Sequence, residues 1–198
     1  MGRKSLAPER KNQILDALEK CIVSHGLAGA TLQRVAEEAG VKLSMIPHYF
    51  GNRDGMMQAM IERFVNTYRR DFANMLDYLP QENRVEALLD MYFSDQLQNY
   101  RPQDTVIVGE LMTLAERDPN VRQFLIGVFQ LFEDVYVTEL QRAFDDTDGA
   151  QHRKLAYLFT ALWYGHSSLI WLGFDKERHV WAREATGGLM ELMAKAGD

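Results

Sequence analysis

The chain has 198 residues, 46% apolar, 25% charged and 11% aromatic, a balance that supports a sizeable core and excludes a disordered or fibrous polypeptide. Lys and Arg total 22 against 28 Asp and Glu, and the resulting charge of −6, taken whole, weighs against a partner as anionic as nucleic acid. A single cysteine, Cys21, excludes an internal disulfide and a cysteine metal cluster, and fits a reducing, cytoplasmic setting.

At the N-terminus, Arg3 and Lys4 are not followed by an apolar stretch, so no secretory signal is read. Beyond it, apolar residues recur at helical spacing almost everywhere and alternate with period two almost nowhere. The breakers, among them Gly26, Gly40, Gly51, Pro80, Pro102, Pro119 and Gly173, fall between these runs. An all-α fold is predicted, with about nine helices near 8–25, 31–39, 43–49, 53–78, 83–99, 104–116, 119–144, 151–172 and 176–195. The stretch 155–174 holds no Asp, Glu, Lys or Arg, but Thr160, His166, Ser167 and Ser168 within it favour a buried helix over a membrane span.

Charge is distributed unevenly along these elements. Residues 1–53 carry eight bases and five acids, a net of +3, which leaves 14 bases and 23 acids, a net of −9, on the rest. A basic head on an acidic body is the arrangement expected when only the head meets a polyanion.

Within the head, the run from Leu32 to Ile46 has the spacing of a helix-turn-helix. Counting Leu32 as position one, Ala36 is fifth, Gly40 ninth and Ile46 fifteenth. Crossing helices need a small residue at closest approach, which Ala36 supplies, and the tight turn needs a residue that tolerates positive φ, which Gly40 supplies. Val35, Ala39, Val41, Ile46 and Tyr49 form the inward face, closed by Ile14, Ala17, Leu18 and Cys21 of the preceding helix. A generic helical corner is the alternative, but the basic surroundings favour DNA binding.

Thr31 to Val41, followed by His48-Tyr49-Phe50 and Asn52-Arg53-Asp54, resembles the N-terminal domain of the TetR family of one-component transcriptional regulators. The resemblance is specific over about residues 10–60 and extends loosely, through the nine-helix layout, to the whole chain. It implies a homodimer, usually a repressor, that leaves a pseudo-palindromic operator when a small molecule enters the C-terminal domain. Carried over by position, it puts Thr31 and Gln33 against DNA, with Thr31 on a phosphate. Leu43, Ser44 and Met45 meet base edges, His48 and Tyr49 meet phosphate, and Arg53 meets a phosphate where the family usually has Lys. Arg and His suit phosphate and Gln33 suits an adenine edge, whereas Leu43 and Met45 offer only apolar contact, so DNA shape carries part of the specificity. Arg34 and Lys42 are either defined contacts or a solvated basic face.

Two positions depart from the family. Pro47 stands where Tyr is usual, and Lys42 where Ser or Thr commonly caps. Proline inside a regular helix from 43 would cost a hydrogen bond, but with Ser44 as N-cap it falls at N3, whose N–H has no intrahelical partner. A short, late-starting third helix, or a first turn of 3₁₀ character, follows.

Helix 53–78 starts with a plausible cap, Asn52, and Asp54 in its first turn. It bridges a DNA-binding domain at 1–53 and an effector-binding and dimerisation domain at 54–198, with Phe64, Tyr68, Phe72 and Met75 assigned to the latter. Helix 151–172 is apolar all round and helix 176–195 carries a stripe of Val180, Trp181, Ala185, Gly188, Leu189, Leu192 and Met193, so these two helices are expected to build a homodimer interface. Candidate effector contacts are Phe72, Met91, Phe132 and Trp163, with Glu110 and His166 as polar residues at mostly apolar positions; a mainly apolar or aromatic effector follows.

No enzyme is expected, and neither a cofactor nor a metal. The five histidines (25, 48, 152, 166 and 179) include no i, i+4 pair, and the turn at 145–149 does not have the register of a calcium loop. No phosphate-cradling glycine loop or nucleophile elbow is present. A helical carrier or enzyme without DNA binding is the alternative.

Overall fold

A computed structural model describes residues 7–94, 102–144 and 149–194. These hold nine helices and no strand: α1 (Ala7–Gly29), α2 (Leu32–Glu38), α3 (Met45–Phe50), α4 (Arg53–Tyr78), α5 (Arg84–Tyr92), α6 (Pro102–Ala115), α7 (Pro119–Ala143), α8 (Gly149–Trp171) and α9 (Arg178–Ala194). The all-α class is as the periodicity predicts. No described helix is long and apolar enough to cross a membrane. The basic N-terminal pair Arg3 and Lys4, the end of the helix expected at 83–99, and the acidic turn from Asp145 lie outside the described residues. So does the close of the last helix at 195.

α5 stops earlier than its sequence suggests. The Ser94 hydroxyl donates to Met91 O at 2.7 Å and the Phe93 backbone leaves the helical region, so a local side-chain bond takes a carbonyl that a continuing helix would use.

The chain divides into two compact units. The first runs through Tyr68 and takes in Val106–Arg122; the second is Arg69–Thr105 with the chain from Gln123 onward. The first core is built by Ile14, Leu18 and Ile22 of α1, Val35 of α2, Ile46 of α3 and Met56 and Met60 of α4, each 1% exposed or less. Spacings of four residues put the α1 and α4 contributions on single helix faces. Phe64 and Tyr68, expected with the C-terminal body, fall in this unit, and Phe64 is buried in it. Arg63 of α4 reaches α1 with Nη1 to Asp16 Oδ1 at 2.7 Å and Nη2 to Glu19 Oε1 at 2.6 Å. The two pairs fix how α4 lies on α1 more than they stabilise it, since partly solvated ion pairs contribute about 0–1 kcal/mol each.

The second core is aromatic, with Tyr92, Phe132, Tyr136 and Phe159 all buried. Glu139, 1% exposed, is held by Arg84 (Nε to Oε2 at 2.6 Å) and by Arg142 (Nη1 to Oε1 at 2.7 Å), so the buried carboxylate is neutralised on both oxygens. Arg183 of α9 pairs with Glu86 and Asp90 of α5.

Candidate nucleic-acid interface

α2, the turn after it and α3 form the helix-turn-helix. Ala36 is buried at the crossing, Gly40 takes φ 63°, and the Val41 amide donates back to Ala36 O at 3.0 Å, closing the turn. Each observation matches the role assigned from sequence. Val35, Ala39 and Ile46 are buried as expected, while Val41 and Tyr49 are only half-buried.

α3 begins at Met45, behind the N-cap Ser44. Before it, Met45 N–H donates to Lys42 O at 2.9 Å and Ile46 N–H to Leu43 O at 3.2 Å, the i→i−3 pattern of a 3₁₀ turn. Pro47 therefore sits at N3 and interrupts nothing. The Ser44 hydroxyl makes no cap bond, because these turn bonds already occupy the first amides.

The sequence-predicted contact residues fall on α2 and its N-cap, the turn after it, α3 and the start of α4. Thr31, Gln33, Arg34, Lys42, Leu43, Ser44, His48 and Arg53 are exposed, and Met45 and Tyr49 half-buried. Several are pre-positioned by bonds within the head. Thr31 Oγ1 accepts from Arg34 N–H at 3.3 Å as the α2 cap, which leaves its own hydroxyl proton to donate. Gln33 donates to Glu37 at 2.6 Å, and Arg34 to Gly29 O at 2.5 Å. The Arg53 Nη2 donates to Leu27 O at 2.8 Å, and a guanidinium with one N–H committed keeps four for phosphate. Asn52 Oδ1 accepts from Gly55 N–H at 2.8 Å, the cap expected for α4. His48 and Tyr49 meet edge-on at 5.0 Å.

The end of α1 supplies a feature that local sequence did not reveal. Gly26 breaks the helix with φ 69°, ψ 170°, and the freed Leu27 N–H donates to Glu110 Oε2 of α6 at 2.8 Å. Glu110, expected to meet an effector, is thus tied to the head, in a different unit from Phe72, Met91, Phe132, Trp163 and His166. Leu27 is held from both sides, by Glu110 on its N–H and Arg53 on its carbonyl.

In the second unit, Phe72 meets Phe132 at 4.6 Å and Phe132 stacks on Trp163 at 4.8 Å, so three predicted effector residues share one cluster. Met91 is half-buried on α5. His166 is engaged elsewhere, its Nε2 2.8 Å from His179 Nδ1, beside the Phe93 ring. Burial, then the neighbouring His179, holds the His166 imidazole below its ordinary pKa. Tyr92 and Tyr136 complete the aromatic cluster and were not singled out from sequence; their only signal is a tyrosine within an apolar helical stripe.

The family model for bacterial regulatory proteins of the tetR family matches residues 14–60, the span from α1 to the first turns of α4. The head is a TetR-family DNA-binding domain. The chain is similar to the HTH-type transcriptional regulator BetI of Escherichia coli O17:K52:H18, at 33% identity over 98 residues, 48% of this chain and 49% of BetI. To the HTH-type transcriptional repressor AcnR of Corynebacterium diphtheriae it is 26% identical over 133 residues, 67% of this chain and 64% of AcnR. The chain thus spans about half the length of the first relative and under two thirds of the second. In fold it matches a TetR transcription regulator from Haloarcula marismortui with a TM-score of 0.77 at 18% identity, over 94% of this chain and 98% of that one. Both curated relatives are named as regulators rather than enzymes.

Proposed function

We propose that this chain is a ligand-responsive transcriptional repressor that binds a pseudo-palindromic operator as a homodimer. The observation that carries the reading is the set of exposed residues Thr31, Leu43, Ser44, His48 and Arg53 on a helix-turn-helix of the TetR family. In this reading α3 enters the major groove, and two copies about 34–36 Å apart read successive half-sites. Thr31, His48, Tyr49 and Arg53 take phosphates, Gln33 and Leu43–Met45 take base edges, and Arg34 and Lys42 add non-specific attraction. The division of +3 on residues 1–53 and −9 elsewhere supports docking by the head alone.

Dimerisation through α8 and α9 is supported by their outer face. Tyr157, Leu169 and Trp171 of α8 and Trp181 of α9 are exposed, beside exposed Ala161, Gly165, Ala185 and Gly188, which permit close approach. Large apolar side chains in water on two adjacent helices mark a face that a second copy covers. A small, mainly apolar or aromatic effector in the second unit shifts the spacing of the two heads, a coupling typically of about 1–3 kcal/mol.

Selection of bound duplexes from a random pool tests the reading. Enrichment of a two-part inverted repeat is expected. A pool that stays unenriched refutes operator binding and favours an all-helical carrier.

A further inference from the structure

The inward face of α8 carries polar atoms that are buried yet have no hydrogen-bond partner among the described residues. Thr160 Oγ1, Trp163 Nε1 and Ser167 Oγ follow at i, i+3 and i+7 on one stripe of the helix. The Tyr92 ring meets Trp163 edge-on at 5.6 Å, and Tyr136 lies beside Tyr92 at 5.2 Å. Both phenol oxygens are likewise buried without a partner among the described residues, in side chains that are 1% exposed or less. Buried polar groups in folded proteins nearly always find a partner, and each one that does not calls for a cause. Five of them on and around one indole form a concentration that packing does not explain.

We propose that this cluster binds the effector, and that the effector is an uncharged aromatic molecule bearing hydrogen-bond acceptors, of which an aryl ketone is the simplest kind. The proposal rests on the reading that the second unit receives an effector, and adds its chemistry. Burial pushes the ionisation of Tyr92 and Tyr136 well above the ordinary phenol value, Tyr136 also through Tyr92, so both remain O–H groups. The indole N–H can only donate, and the phenols and the two aliphatic hydroxyls can donate as well as accept, so a ligand bearing acceptors is the one kind that can satisfy every member of the set. None of the five carries charge. The buried carboxylate one turn from Tyr136, Glu139, is already paired with Arg84 and Arg142, so neither an anion nor a cation finds a counter-charge among these groups. The flat faces come from Phe132, which lies near-parallel to Trp163 at 4.8 Å and 29°. A planar guest substitutes for that stacking contact while its acceptor reaches the phenols, and the half-buried Trp163 is the ring past which it is admitted.

Equilibrium dialysis of the full chain against four probes of one shape tests this: 1-acetylnaphthalene, naphthalene, 1-naphthoate and 1-naphthyltrimethylammonium. One 1-acetylnaphthalene per chain is expected, bound at least tenfold more tightly than the other three. Tyr92→Phe and Tyr136→Phe should each weaken it about five- to tenfold, with naphthalene binding unchanged. Thermal unfolding of the free variants should match or exceed that of the parent, because each loses an unsatisfied hydroxyl, which separates loss of binding from loss of fold. The proposal is overturned if the anion or the cation binds best, if the double variant holds 1-acetylnaphthalene as the parent does, or if no probe saturates. The titration uses no DNA, so its failure leaves operator binding standing, and a failure of operator selection leaves the site standing.

Discussion

Glu110→Ala removes the carboxylate of α6 that caps the α1 break. Gly26 leaves the helical region, so the Leu27 N–H cannot complete a regular i→i−4 bond and depends on the carboxylate 2.8 Å away. A hydrogen bond to a charged acceptor contributes about 1.5–3 kcal/mol when buried. This one is only part-buried, so water competes and a loss of about 1–2 kcal/mol is expected. With a urea m-value of about 2 kcal/mol/M, the midpoint of the transition that includes the first unit falls by roughly 0.5–1 M. Native-state hydrogen exchange is the sharper assay. The Leu27 amide should exchange about tenfold faster in Glu110→Ala, while Glu110→Gln, which keeps an acceptor on the same stem, should lie between. Because Arg53 leans on the Leu27 carbonyl, DNA affinity should fall several-fold with it. If Leu27 exchanges at the parent rate in Glu110→Ala, the bond does not hold the break and the reasoning fails.

Four further outcomes follow from the same structure. Arg53→Ala should weaken binding to every duplex and reduce the salt slope by about one, and a change in sequence preference alone would contradict the phosphate role. Gly40→Ala should cost about 1–2 kcal/mol in urea unfolding; a Cβ there meets no atom within 4 Å, so the whole cost is the positive φ, and a neutral result refutes that attribution. The double change Leu169→Glu, Trp181→Glu should shift sedimentation at micromolar concentration from dimer to monomer, and an unchanged dimer would move the interface off α8 and α9. His166, held below its ordinary pKa, binds fewer protons folded than unfolded between that lowered value and about 6.5, so its contribution is complete above about pH 6.5 and is lost as pH falls through the folded value. His166→Gln should therefore flatten the drop in urea midpoint between pH 7.5 and 5.5; an equal drop would place the sensitivity elsewhere.

The helix-turn-helix was legible because its constraints are local. A small residue at Ala36, a positive φ at Gly40 and an N3 proline at Pro47 each follow from backbone chemistry within a few positions, and the structure shows all three. Fold class was legible for the same reason, since 3.6-residue periodicity needs no knowledge of partners. What sequence could not show is long-range pairing. Leu27 and Glu110 are 83 residues apart, and nothing near either marks the other. Glu110 was conspicuous as an acid between Val108 and Leu111, but the same pattern fits an effector contact and a backbone cap. Tyr92 and Tyr136 were hidden for a related reason: a buried tyrosine in an apolar stripe reads as packing until its hydroxyl is seen to lack a partner among the described residues.

Hydroxyl-radical footprinting of the duplex enriched by selection addresses most directly whether two copies of α3 read one operator. Two protected patches on one face of the duplex, about one helical turn apart and both lost with Arg53→Ala, are expected. A single patch, or protection that survives Arg53→Ala unchanged, would contradict a dimer docked through its two heads.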